Sequence, residues 1–248
     1  MFRRIFDFKK SNVSQLEHRL TKRYPTGATF PLRATLQVAG RDWRGRVVDI
    51  SASGVGLLLS RDDALTQGLS GELRLELEQH LLTVNSVITH AKLRRDGCLC
   101  GIGMEFDDFA VQKSFLQLLQ PVAIGSSLQP VAAALVIQNE PRFTKLSFRG
   151  ESNSVLSVWR ENVADGDLHS FEFMMQDYFV RADAKVRVLE VFTRAQVDRP
   201  PQLKASAPVF DPTGDMNDEV RQLFRWIVPN LPKVVPAEIR GFLQDFTG

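Results

Sequence analysis

The stretch Gly45-Arg46-Val47-Val48-Asp49-Ile50-Ser51-Ala52-Ser53-Gly54-Val55-Gly56-Leu57 joins two strand-like runs, Gly45 to Asp49 and Gly54 to Leu59, through a D-x-S-x-x-G turn. A carboxylate and a hydroxyl at this spacing can hydrogen-bond nearby backbone groups, and glycine tolerates close or unusual backbone geometry, so the segment predicts a tight reversal between two strands. Upstream, Phe30, Leu32, Ala34, Leu36 and Val38 alternate with other residues until Gly40, the period of a half-buried strand. Downstream, Glu72 to Glu78, Leu82 to Leu93 and Cys98 to Phe106 repeat that period, and Asp96-Gly97 marks a turn. In the first of these runs Leu73, Leu75 and Leu77 interleave with Glu72, Arg74, Glu76 and Glu78. Six short strands with regular turns predict a small antiparallel β-barrel rather than a parallel sheet with crossover helices. Asp108 is placed to cap a closing helix that carries Phe109, Phe115, Leu116 and Leu119 near helical period and stops at Pro121.

The rest of the chain divides around this unit. Ser11 to Leu20 has Val13, Leu16 and Leu20 at helical spacing, with Ser14 and Glu17 as a capping box, and predicts a short leading helix. Residues 123–130, with Gly, Ser and Pro and little pattern, are the expected domain boundary. Beyond it, strands are expected at Val131 to Ile137, Phe143 to Arg149, Ser154 to Arg160, Leu168 to Arg181 and Ala184 to Arg194. The Pro-rich run Arg199 to Gly214 reads as a long loop or linker. Two amphipathic helices follow, one with Val220, Leu223, Phe224 and Ile227 on a face after Asp215, the other with Ile239, Phe242, Leu243 and Phe246 after Pro236. The expected class is therefore mainly β with α. It comprises a helical, basic extension over residues 1–18, a barrel over 19–122, and an α+β domain with two C-terminal helices over 131–248.

Composition bounds the function. The 248 residues carry 31 basic and 29 acidic side chains, a formal net charge of +2, so no global field draws the chain onto a polyanion and any phosphate site must be local. Basic pairs at Arg3-Arg4, Lys9-Lys10 and Arg94-Arg95 are short and offset by nearby acids, and nucleic-acid binding is not expected. The start mixes Phe2, Ile5, Phe6 and Phe8 with charges and never forms the apolar run of a signal peptide or membrane span, so a cytoplasmic protein is expected. That same N-terminal stretch could touch an anionic membrane surface or dock on a partner.

Enzyme chemistry finds little support. The four histidines, His18, His80, His90 and His169, show no metal-ligand spacing and read as surface or strand residues. There is no G-x-S-x-G, P-loop or G-x-G-x-x-G, and Gly101-Ile102-Gly103 lies inside a strand pattern. Cys98 and Cys100 fall on one face of a strand and read as buried thiols, since a lone C-x-C makes a poor zinc site. No metal, cofactor or catalytic residue is assigned.

What the barrel does carry is Arg19-Leu20-Thr21-Lys22-Arg23, an R-x-x-x-R, followed by the D-x-S-x-x-G turn. Guanidinium groups are planar forks that match phosphate oxygens or the O6/N7 edge of guanine, and they stack on bases. A carboxylate accepts from guanine N1–H and N2–H, and a nearby hydroxyl donates or accepts as required. Taken singly, an R-x-x-x-R is also a solvated basic stretch and a D-x-S-x-x-G an ordinary β-turn. In their order, separation and flanks, including Gly101-Ile102-Gly103-Met104-Glu105-Phe106 before the closing helix, the two together resemble the PilZ family of bacterial cyclic di-GMP receptors, over about residues 19–120.

That resemblance implies a β-barrel that binds cyclic di-GMP and is not an enzyme. Arg19 and Arg23 would clamp phosphate and guanine, Asp49 and Ser51 would hold a guanine edge, and Gly54 would shape the turn. His18, Lys22 and Ser53 are secondary contacts, and His18, where the family often has Arg or Leu, is compatible with one nucleotide or a stacked pair. Since the arginine segment sits in an expected loop between leading helix and barrel, ligand charge is expected to draw it onto the barrel in a conformational relay, and by elimination residues 131–248 are the output domain toward a protein partner, in motility or biofilm regulation. The competing expectation is a PilZ-like adaptor that acts by protein contacts without nucleotide.

Overall fold

A computed structural model describes residues 22–62, 64–163, 166–194, 210–212 and 217–248. The expected leading helix and the rest of residues 1–18, with His18 and Arg19, lie outside the described residues. The chain separates into two compact units, Met1–Ala123 and Ile124–Gly248.

In the first unit, β1 (Tyr24–Pro25) precedes six strands: β2 (Leu32–Val38), β3 (Arg41–Ser51), β4 (Gly54–Leu59), β5 (Ser70–Leu77), β6 (His80–Arg94) and β7 (Gly97–Glu105). Their antiparallel order β3-β2-β5-β6-β7-β4 closes through a β3–β4 pairing, giving the six-stranded barrel that the period-2 runs predict. Closure removes both sheet edges and lets each strand bury one side. Leu36, Ile50, Leu57, Leu73, Leu75 and Ile102 are among the side chains filling the interior. Cys98 and Cys100 also point there, their Sγ atoms 3.5 Å apart. Beyond Arg46, where β2 has left it, β3 takes up β1 on the same edge, pairing Tyr24 with Ile50 and Pro25 with Asp49.

Asp108 caps the following helix as expected, accepting from the Ala110 N–H at 2.8 Å, but α1 (Phe109–Ser126) does not stop at Pro121. A proline inside a helix costs about 3 kcal/mol. Here Val122, Ala123 and Ile124 follow it fully buried, each large apolar side chain gaining about 1.5–3 kcal/mol, so burial outweighs the lost donor. The expected boundary stretch 123–130 is thus helix end followed by a short strand, and the division between units falls within α1.

The second unit is an antiparallel sheet in the order β14-β13-β12-β11-β10-β9-β8. Its strands are β8 (Gln129–Pro130), β9 (Phe143–Arg149), β10 (Val155–Glu161), β11 (Leu168–Met175), β12 (Tyr178–Asp183), β13 (Glu190–Arg194) and β14 (Phe210–Pro212). Four expectations are corrected. Val131 to Ile137 is not a strand but holds a 3-10 turn at Ala133–Leu135, with Leu135 and Ile137 exposed. Leu168 to Arg181 is two strands, reversed at Gln176, which adopts φ 62 without the glycine that would have signalled a turn. Residues 184–189 form a loop before β13, nucleated by Asp183 Oδ1, which accepts from the Lys185 N–H at 2.7 Å. Within the expected loop Arg199 to Gly214, Phe210–Pro212 pairs with β13.

The terminal helices form as the apolar stripes predict, as α2 (Asn217–Ile227) and α3 (Ala237–Gln244). Together with the sheet they close an aromatic core in which Phe171 stacks on Phe224 at 5.6 Å between centroids and meets Phe242 edge-on at 5.8 Å.

Candidate functional site

The D-x-S-x-x-G segment is the β3–β4 hairpin, closed by the Ser51–Gly54 pair around Ala52 and Ser53. Ser51 is buried, and its hydroxyl donates to the Gly54 carbonyl at 3.2 Å, which ties the turn down. Gly54 is required by its neighbour: a Cβ there would run into the Ile102 carbonyl of β7. Ser53 is exposed at the tip, and its carbonyl accepts from the Met104 N–H at 3.0 Å.

Asp49 reaches the barrel's outer surface because of a β-bulge. Val47 pairs with Leu57 and Asp49 with Gly56, so Val48 is an extra residue in β3. Strict alternation from buried Val47 would have turned Asp49 inward; the bulge turns it outward. There its carboxylate lies across Gly56, where a Cβ would stand 2.6 Å from Oδ2.

Of the two arginines, Arg23 is described, and it meets Asp49 across 26 residues of sequence: its Nη1 donates to Asp49 Oδ1 at 2.6 Å. Three contacts hold the approach segment in place. Besides the β1–β3 pairing, the Thr26 hydroxyl donates to the Val47 carbonyl at 2.6 Å and its N–H to the Val48 carbonyl at 3.1 Å. Lys22 is exposed, with Nζ 5.2 Å from the centre of the Tyr24 ring.

The pair is half-exposed, with 47% of the Arg23 and 32% of the Asp49 side chain open to solvent. Such ion pairs contribute about 0–1 kcal/mol, less than the roughly 1.5–3 kcal/mol of a hydrogen bond to a charged group in a protected site. A ligand that offers Asp49 two N–H donors and Arg23 an anionic oxygen can therefore displace the pair at little cost.

Beside it glycines of two neighbouring strands face one another. Gly54 pairs with Gly103 and Gly56 with Gly101 across β4 and β7, and the intervening Val55 and Ile102 point into the barrel. Four glycines thus stand together on the outer face, between Asp49 and Ser51 along the β3 side and Val87 and His90 along the β6 side, with the Asp49 carboxylate over Gly56 and the His90 ring over Gly101. The next outer row, Arg46, Leu58, Leu99 and Lys92, gives it a basic rim. Two clefts of about 540 and 550 Å³ lie in the second unit and contain none of the motif residues. Sequence reading passed over Gly56, Gly101 and Gly103. The available signal was a G-x-G in each of two strands, since glycine inside a strand marks close approach of backbone or ligand.

Residues 17–120 match the family model of the PilZ domain, and this part of the chain is a PilZ domain. Among solved structures, the PilZ domain of YcgR from Escherichia coli, determined with cyclic di-GMP, is 14% identical with a TM-score of 0.37, covering 41% of this chain and 88% of that one. The PlzA protein of Borreliella burgdorferi, determined in complex with cyclic di-GMP, is 9% identical with a TM-score of 0.34, covering 96% and 99% of the two chains. The Legionella protein Lpg0364 is 13% identical with a TM-score of 0.26, covering 40% and 89%. No curated protein matches the chain.

Proposed function

We propose that the chain is a cyclic di-GMP receptor and not an enzyme: it binds the dinucleotide on the outer barrel face and passes the event to a protein partner through its second unit. The observation that carries this reading is the convergence of Arg23 and Asp49 beside the glycine patch, from segments 26 residues apart, within a PilZ domain. A guanine plate needs a flat surface, an acceptor for N1–H and N2–H, and a cation for O6, N7 or phosphate. In this reading Asp49 accepts from the base, Arg23 leaves it for the phosphate or the O6/N7 edge, and Arg19 joins from the same segment. Ser51 and Gly54 keep the hairpin in the shape that presents Asp49, with Lys22 and Ser53 at the margin and His18 next to Arg19.

Rearrangement of the arginine segment as the ion pair opens is the proposed source of the conformational signal. Among the described residues no helix is long and apolar enough to cross a membrane, and the receptor is proposed to act in the cytoplasm. Isothermal titration of the full chain with cyclic di-GMP is expected to show saturable binding that GMP does not reproduce. Absence of heat at protein concentrations of tens of micromolar would leave the adaptor reading in its place.

A further inference from the structure

In the second unit, part of the β9 edge is closed by substitutes for a strand. β8 pairs with β9 through Gln129–Arg149 and Pro130–Phe148, and the Val131 N–H donates to the Ser147 carbonyl at 2.8 Å. Hydrogen-bonded and non-bonded pairs alternate along an antiparallel ladder, so the next β9 backbone groups facing this edge belong to Lys145 and Phe143. Among the described residues no strand meets them. The Gln138 side chain instead takes both groups of Lys145: its Oε1 accepts from the Lys145 N–H at 2.7 Å, and its Nε2 donates to the Lys145 carbonyl at 3.0 Å. The Phe143 N–H donates to the Glu140 carbonyl at 3.2 Å, within a turn. A primary amide offers the donor and acceptor of a peptide group, so Gln138 stands in for one residue of a partner strand.

A strand able to fill that place is present in the chain. Continued in register, β8 would set Ala133 opposite Lys145 and Leu135 opposite Phe143. The run Val131-Ala132-Ala133-Ala134-Leu135-Val136-Ile137 carries no charge and no proline. Yet it leaves the sheet in the 3-10 turn Ala133–Leu135 and exposes 75% of Leu135 and 76% of Ile137. We propose that Val131–Leu135 is a strap with two seats: an outer one, held by Gln138, and an inner one, in which it extends β8 along β9 and displaces the amide. Alternation in the inner seat puts the small Ala132 and Ala134 on the face of buried Phe148, and Leu135 on the face of Phe143. Alanine is a poor strand former, which lets the two hydrogen bonds of one amide hold the run out. The turn that must open to free the Phe143 N–H begins at Glu140, and Glu140, Arg142 and Phe143 line the cleft of about 550 Å³. The seat of the strap therefore sets the shape of that cleft, whether or not the barrel binds a nucleotide.

Amide hydrogen exchange of the full chain, read residue by residue by NMR, tests the strap with two substitutions. Gln138→Ala removes the stand-in. Ala133→Pro suits the outer seat, where it opens the 3-10 turn after Ala132 at φ −56 and ψ 133, and forbids the inner one, since proline brings no N–H to the ladder. Slow exchange at Phe171 and Phe173, in the middle of the sheet, checks that each variant stays folded. In Gln138→Ala the strap is expected to take the inner seat, so the Lys145 amide stays protected and the Ala133 amide slows by about tenfold or more. Adding Ala133→Pro should then speed exchange at Lys145 by about tenfold or more. Loss of Lys145 protection in Gln138→Ala, or an Ala133 amide that exchanges no more slowly there, overturns the proposal. Protection of Lys145 in the doubly substituted chain overturns it too, because something other than the strap then covers the edge.

Discussion

At the scale of single residues, the proposed site joins side chains named by sequence motifs to others whose meaning comes only from placement. Arg23, Asp49 and Ser51 are legible only as a set, through the order and separation of the two motifs, since each motif singly has an ordinary structural reading. Arg23→Ala tests the first of them. Its ion pair with Asp49 is exposed enough to contribute about 0–1 kcal/mol to folding, so the melting temperature should barely move. Cyclic di-GMP affinity should instead fall by about 1.5–3 kcal/mol, roughly ten- to a hundredfold, by calorimetry. A silent substitution would remove Arg23 from the site. His90 was not legible: in the sequence it is a histidine in an alternating run, in phase with buried Ile88, and its outward turn comes from a bulge that no local residue signals.

At the scale of elements, the barrel strands followed from alternation, and the errors fell where local signals and packing disagree. Pro121 is a helix breaker by propensity, yet α1 continues through it because Val122, Ala123 and Ile124 gain more from burial than the missing hydrogen bond costs. The β11–β12 reversal lacks glycine at Gln176, so two strands read as one. Strand β7 offers a test of the barrel interior. Both thiols are fully buried, so the native chain should leave both cysteines unreactive toward Ellman's reagent near pH 8, and both should react after urea unfolding; burial, with Cys98 close by, also pushes the Cys100 thiol up to about 12. Because the folded value is raised, this contribution to stability is complete below the ordinary thiol range near 9. It is lost as pH rises from there toward 12, and burial of Tyr178, also held up at about 12, acts in the same direction. The urea midpoint should therefore fall steadily above pH 9; a flat profile to pH 11 would contradict the buried placement of these groups.

At the scale of the whole molecule, the receptor reading predicts that the ligand changes more than the barrel face. Small-angle scattering of the full chain at saturating cyclic di-GMP should differ from that of the free chain, and superimposable curves would rule out a relay by large rearrangement. By itself the sequence determined the order of strands and turns in the barrel and the chemical types at the proposed site, because period-2 burial and the D-x-S-x-x-G turn are local properties. Only the tertiary structure decided that Arg23 lies on Asp49, that four glycines of β4 and β7 stand together, and that two bulges turn Asp49 and His90 outward beside them. The physical reason is register: which residues stand side by side across a closed sheet is settled by the packing of all six strands at once, and one extra residue in a strand reverses the face its neighbours present.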